Sequence, residues 1–310
     1  MTSYNEHVPV LLSEVLSFVK EDEKQVVVDM TLGRGGHASY ILKKIGKNSS
    51  YYGIDRDIEA INYCNEHLKS DTCKIKLIHS NFSNAIKEVK NYEKKASLIL
   101  FDIGVSSPQF DDPERGFSYR FDSKLDMRMN KDDKVTASYI INNYSEEELV
   151  NIFSSYGQCH NSKRVASNIV LKRKEKPIET TFQLVDVIKE VLPLKELNSK
   201  GHPCKQYFLA LRYAVNSELQ ELEKALKEAI EFLSIGGRLI IISFNYLEDK
   251  IVKNIFSNYI VKKKIDKYKV NKEEEHYYLY LNKTPIIANL DELKVNNRAK
   301  SAIMRVIERR

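Results

Sequence analysis

Four short apolar runs, spaced by helical or linking stretches, fill the first hundred residues and leave few folds open. QVVVDM (25–30), SYYGID (50–55), KIKLIHS (74–80) and SLILFDIGV (97–105) read as strands, while HASYILKKIG (37–46) and DIEAINYCNEHL (57–68) carry helical spacing. Strands without a polar face, alternating with helices, imply a parallel sheet covered on both sides and joined by right-handed crossovers. A fifth such strand, GGRLIIISF (236–244), arrives much later. From about Pro108 to Tyr144 the chain is polar, irregular and aromatic, too long for a plain connection. Helix starts follow: Ser145 with Glu148, and Thr180 with Gln183, have capping-box spacing. Phe208, Leu211, Val215, Leu219, Leu222, Leu226, Ile230 and Leu233 then fall on one face of a single predicted helix over 205–233. The economical fold is α/β: a doubly wound, mainly parallel Rossmann-like sheet formed by 1–108 and 206–310. A mainly helical domain, 109–205, is inserted between its fourth and fifth strands.

Composition narrows the class. No apolar run approaches the ~18 residues of a membrane span, and MTSYNEHVPVLL lacks the basic and long apolar regions of a signal peptide, so no membrane partner is expected and the expected location is cytoplasmic. Cys64, Cys73, Cys159 and Cys204 never form C-x-x-C, which predicts free thiols and no metal site. The formal charge of +6 is mild. Basic residues nevertheless crowd into 163–176, 261–269 and 297–310, and three such tracts lean toward a nucleic-acid partner, although a solvated helix face explains any one of them.

The stretch VVVDMTLGRGGHASYIL (26–42) is the first ligand-binding candidate. Gly33, Gly35 and Gly36 lack a Cβ and tolerate positive φ, so a ligand can approach the main chain. The following helix offers free N–H groups, and in an open parallel sheet this turn lies at the carboxyl end of the first strand. Asp55 ends the second strand, where it can accept hydrogen bonds from a ribose. No Gly-Lys-Ser/Thr is present, which excludes a P-loop. The spacing G-x-G-x-x-A permits a dinucleotide. Asp29, however, would repel a pyrophosphate and favours the cationic end of S-adenosylmethionine.

On the fourth strand, LFDIGVSSPQF carries Asp102. An exocyclic amine such as cytosine N4 is a poor nucleophile because its lone pair feeds the ring. A carboxylate at the strand end would hydrogen-bond the N–H and receive the proton. A role for Asp102 limited to capping the turn or the donor stays open.

These motifs resemble the MraW/RsmH family of bacterial methyltransferases, which modify N4 of a cytidine in 16S rRNA. The resemblance runs through HVPVLLSEVL (7–16), DMTLGRGGHA (29–38), GIDRD (53–57), FDIGVSSPQFDDPERGFSYRFDSKLDMRM (101–129) and YGQCHNSKRVASNIV (156–170). It continues in ALRYAVNSELQELEKAL (210–226), GGRLIIISFNYLEDKIVK (236–253) and NRAKSAIMRVIER (297–309). It implies a class I methyltransferase fold and S-adenosylmethionine held by Gly35, Gly36, His37, Asp55, Phe82, Asp102 and Gln109, with Phe82 flanking the adenine. It also implies 16S rRNA or the small ribosomal subunit as partner, gripped in part by the insertion, and leaves a homodimer open. A paralogue acting on another RNA, a non-catalytic RNA-binding relative and an NAD-type oxidoreductase are the alternatives.

Departures from the family pattern gather on the acceptor side. Family members usually read HPATRTFQALR, SFHSLEDR and a glutamate after Tyr-Gly; here these are HPCKQYFLALR, SFNYLEDK and Gln158. Gln206 thus replaces an arginine and Asn245 a histidine, and neither change is chemically neutral. Phe110, Phe117, Tyr119 and Phe121 are interleaved with Arg115, Arg120 and Arg128, a pattern that suits an unpaired base over a phosphate track. A packed loop core is the competing reading.

Overall fold

β-Branched and aliphatic residues build the strands of one seven-stranded sheet. The strands are β1 (Val26–Asp29), β2 (Ser50–Asp55), β3 (Lys74–His79), β4 (Ala96–Asp102), β5 (Leu233–Ser243), β6 (Tyr278–Tyr280) and β7 (Ile303–Arg309). The computed structural model describes residues 8–198, 200–260, 278–282 and 284–310. The order is β3-β2-β1-β4-β5-β7-β6, with β1 to β5 parallel and β7 antiparallel to both its neighbours. Alternation within each strand sends Val28, Ile99, Phe101 and Ile241 to one face. There they meet the helices Phe82–Val89, Glu218–Phe232 and Tyr246–Tyr259. Val27, Tyr51, Leu98, Leu100 and Ile240 turn to the other face, against the helices Gly36–Lys44 and Ile58–His67. Both faces are thus buried along β1, β2 and β4, which is why these strands read as largely apolar runs, whereas the edge strand β3 exposes Lys74, Lys76 and His79.

The chain divides into two compact units, one holding the residues up to Gly104 together with Leu219–Arg310, the other Val105–Glu218. Sequence reading set the insertion at 109–205, so the second unit is wider at both ends. The fourth strand stops at Asp102 rather than running to 105. The single helix expected over 205–233 is two, Lys205–Asn216 and Glu218–Phe232, broken where Ser217 adopts φ 51°. Phe208, Leu211 and Val215 then join the second unit's core, while Leu222, Leu226, Ile230 and Leu233 join the sheet's. Asn216, fully buried at the break, donates from its amide to the Met127 and Arg212 carbonyls (2.8 and 2.9 Å) and accepts from the Met129 N–H (2.8 Å). Its amide ties the loop 127–129 to the end of the helix within this unit.

The second unit is helical. Ser145 with Glu148 and Thr180 with Gln183 form the two expected capping boxes, opening the helices Glu146–Ser155 and Thr181–Val191. Its core holds Phe117, Leu125, Met127, Leu149, Phe153, Leu184 and Phe208.

Strands β6 and β7 have no counterpart in the sequence reading, which took 297–310 for a basic tract. Met304, Val306 and Ile307 are buried in the sheet. Arg305 binds Asp249 through two nitrogens (2.6 and 3.1 Å), Arg238 donates to Glu308 (3.1 Å), and Arg309 donates to the Leu233 carbonyl (2.6 Å). Those arginines are committed to the fold, and removing one partner of such a buried pair costs about 3–5 kcal/mol. The tract 261–269 lies outside the described residues. In the helix Ser162–Glu175 the tract 163–176 is split: Arg173 donates to the Ile141 carbonyl and Lys172 pairs with Glu190 (3.0 Å), whereas Lys163, Arg164, Lys174 and Lys176 are exposed.

Candidate active site

Asp29, Asp55 and Asp102 each end a parallel strand, so β1, β2 and β4 bring three carboxylates to the carboxyl edge of the sheet. Open α/β sheets bind ligands at this edge. Asp29 is 1% exposed and both its oxygens are engaged: Oδ1 accepts from the Thr31 N–H (3.0 Å) and Oδ2 from the Tyr51 hydroxyl (2.7 Å). Burial lifts its pKa to about 6 despite those bonds. Asp29 therefore braces the turn after β1, with both its oxygens engaged by the chain itself.

Asp55 likewise shapes the turn. Its oxygens accept from the main-chain N–H groups of Gly33 and Asp57, both at 2.8 Å, and burial raises its pKa to about 6. Each oxygen keeps a second lone pair for a ribose hydroxyl. Gly35 (φ 75°) caps the helix Gly36–Lys44. A Cβ at Gly36 would stand 2.9 Å from Pro9, and one at Gly35 would stand 3.3 Å from the Cys64 sulfur. Close packing against the segment around Pro9 and against the helix Ile58–His67 thus requires these glycines, besides any ligand.

His37 is buried, and its Nε2 lies 3.0 Å from the Val10 carbonyl, an acceptor only. Nε2 must therefore carry the hydrogen and donate. Burial pushes the imidazole down to about 4, so the ring is neutral at pH 7 and Nδ1 presents a lone pair, 3.7 Å from Asp102 Oδ2. The Asp102 N–H donates to the Thr31 hydroxyl (2.7 Å), which locks the end of β4 to the turn after β1. Its Oδ1 is buried and has no hydrogen-bond partner among the described residues. Burial, then the charges of Asp29 and Glu248, lift its carboxyl to about 7. A carboxylate poised at that value, with one unsatisfied oxygen, is equipped to accept a proton near neutrality.

Glu248, Thr31 and Tyr51 are site residues that sequence reasoning missed. Glu248 is buried, and its Oε2 accepts from the Phe244 and Asn245 N–H groups (2.8 and 3.0 Å) just past β5. The spacing Asn245-x-x-Glu248 after a strand was the available signal. Asn245 caps the helix Tyr246–Tyr259 in a full capping box, so the departure from histidine is absorbed by a good N-cap residue. Phe82 opens the helix after β3, partly buried, with its ring edge-on to Phe101 at 5.8 Å. Gln109 belongs to the second unit, buried, with Oε1 accepting from the Ser106 N–H (3.0 Å).

In that unit the expected row of arginines is thinned. Arg115 is buried and donates to the Arg128 and Met129 carbonyls, Arg128 pairs with Asp126 (2.7 Å), and Phe117 is core. Arg120, Gln158 and Gln206 are exposed. Among the described residues no cluster of three His, Cys, Asp or Glu side chains is placed to hold a metal, and all four cysteines are free and buried. No described helix is long and apolar enough to cross a membrane.

Sheet order 3-2-1-4-5-7-6, with β7 reversed, a glycine turn after β1 and acids ending β1, β2 and β4 define a Rossmann-like class I methyltransferase. The profile of the MraW methylase family matches residues 4–310, and the chain belongs to that family. It is 43% identical over 308 residues to a protein of Halothermothrix orenii named ribosomal RNA small subunit methyltransferase H, covering 98% of each chain. A protein of the same name from Ureaplasma urealyticum is 42% identical over 303 residues, 97% of each. The chain is an enzyme of methyl transfer, and the NAD-type alternative falls away.

Proposed function

We propose that the enzyme methylates N4 of a cytidine in the 16S rRNA of the small ribosomal subunit, with S-adenosylmethionine as donor. The observation that carries the reading is the unsatisfied, buried Oδ1 of Asp102 beside the glycine turn of a MraW-family chain. The donor fits the residues present: three buried carboxylates give the site a negative field, and the turn at Gly35 and Gly36 leads into a helix N-terminus. Gly35, Gly36, His37, Asp55, Phe82 and Asp102 hold it, Asp55 at the ribose and Phe82 against the adenine. S-adenosylmethionine, when bound, supplies an electrophilic methyl on a sulfonium centre. Asp102 orients the amine through its N–H, building lone-pair density on nitrogen, and takes the proton released as the N–C bond forms. His37, neutral and fixed by Val10, walls the carboxylate without competing for that proton.

The second unit serves substrate recognition in this reading, and the place of work is the cytoplasm, where small subunits are assembled. The departures at Gln158 and Gln206 are exposed on the second unit and Asn245 is a cap, which supports drift of a surface with the reaction unchanged. A homodimer is checked by light scattering. The decisive experiment is mass mapping of 16S rRNA from a strain lacking the gene, before and after incubation of its small subunits with the purified enzyme and labelled donor. One restored N4-methylcytidine supports the reading; donor binding without labelled rRNA sinks it.

A further inference from the structure

A pair of neighbouring phenylalanines in the second unit is left to solvent. Phe121 is 47% exposed and Phe182 42%, and the backbone segments that carry them are tied together. The buried Thr181 hydroxyl donates to the Phe121 carbonyl (2.6 Å) and accepts from the Ser123 N–H (3.1 Å). The Phe182 N–H donates to Asp122 (3.2 Å), and Lys124 and Thr180 form an antiparallel bridge next to them. Single exposed aromatics are ordinary, whereas these two stand on segments joined by four backbone-anchored contacts, so their main chains are fixed relative to one another.

The same strip continues through charge and a second ring pair. Exposed Arg120 stands over the Phe110 ring at 5.7 Å. Tyr119 lies parallel to His202, centroids 4.2 Å apart and planes 11° apart, with Phe208 edge-on behind it. Burial and the charge of Lys189 hold the His202 pKa below its ordinary value, so the ring stacks uncharged. Asp122, the acid nearest the phenylalanines, is occupied by the Phe182 N–H.

We infer that Tyr119, Arg120, Phe121, Phe182 and His202 form a stacking surface for unpaired nucleotides of the RNA, distinct from the glycine turn. The inference rests on the reading of the chain as an RNA methyltransferase and adds where unpaired bases lie. Exposed rings accept base faces without regard to sequence, and an adjacent guanidinium serves the phosphates; each stacked base is worth about 1–3 kcal/mol. Of the aromatics and arginines that the sequence offered, the buried Phe117 and Arg115 and the Asp126-paired Arg128 are removed from this role, and Phe182 and His202 are added.

The test compares the full-length protein with F121A/F182A and F121Y/F182Y, using a fluorescent single-stranded oligoribonucleotide, purified small subunits and labelled donor. Affinity of F121A/F182A for the oligoribonucleotide should fall about tenfold per ring, with donor affinity and unfolding midpoint unchanged, and F121Y/F182Y should restore it. RNA affinity within twofold of the parent overturns the surface. A loss seen with small subunits but not with the oligoribonucleotide also overturns it, because the face then meets ribosomal protein. A parent enzyme that neither binds RNA nor methylates small subunits refutes the underlying function itself, a result distinguishable from either.

Discussion

Asp102→Asn separates the cost of the carboxylate from its use. In the folded protein its pKa stands at about 7 against an ordinary 3.8, raised by burial and then by Asp29 and Glu248. A folded value above the unfolded one means that ionisation opposes folding. The penalty is absent below about pH 4, grows as pH rises and is complete above about pH 7. Roughly three units correspond to about 4 kcal/mol at 1.36 kcal/mol each. The side chain is 26% exposed, and solvent screening reduces the expected effect to about 2 kcal/mol. Asparagine carries no charge at any pH, so the variant should gain stability relative to the parent as pH rises from 5 to 8. Urea unfolding of the donor-free proteins at pH 5, 6, 7 and 8 measures this, alongside methyl transfer, which should fall by orders of magnitude. A stability difference that stays flat across that range would show that the carboxylate is not strained by its surroundings. Near-parental transfer would remove it from the chemistry.

Two further substitutions probe the turn and the helix break. Asp55→Ala removes the acceptor for the Gly33 and Asp57 N–H groups, and calorimetry should show donor affinity weakened by at least tenfold with folding retained; unchanged affinity would exclude Asp55 from the ribose. Ser217→Gly relieves a non-glycine residue held at φ 51° and should raise stability by about 1 kcal/mol in denaturant unfolding, whereas a loss would mean that the serine side chain supports the break.

Much of this fold is legible from hydrophobic patterning alone. Strands β1, β2 and β4 announce themselves because both their faces are buried, so each is a largely apolar run, while the edge strand β3 shows through the alternation of KIKLIH. Strand β7 does not, because IMRVIER mixes charge with apolar residues. Its Arg305, Glu308 and Arg309 find partners across the sheet and beyond it, in Asp249, Arg238 and the Leu233 carbonyl. The break at Ser217 is equally silent: the apolar stripe keeps its spacing across it with neither glycine nor proline, although its two halves serve different cores. Within the site, strand-terminal position identified Asp29, Asp55 and Asp102. Their remote partners were hidden, since Tyr51 reaches Asp29, and Thr31 and Glu248 reach the end of β4, through register and loop geometry rather than through proximity in the chain.

The separation of β4 from β5 has a consequence for how the protein is made. These strands pair side by side in the sheet, yet roughly 130 residues of chain lie between them. At about 5–20 residues per second, synthesis leaves the edge of β4 without its neighbour for on the order of 7–26 s. The second unit, continuous in sequence, emerges entirely within that interval and has its whole core available first. Nascent β4 is then an open apolar edge until β5 arrives, a template for mispairing that a chaperone would have to cover.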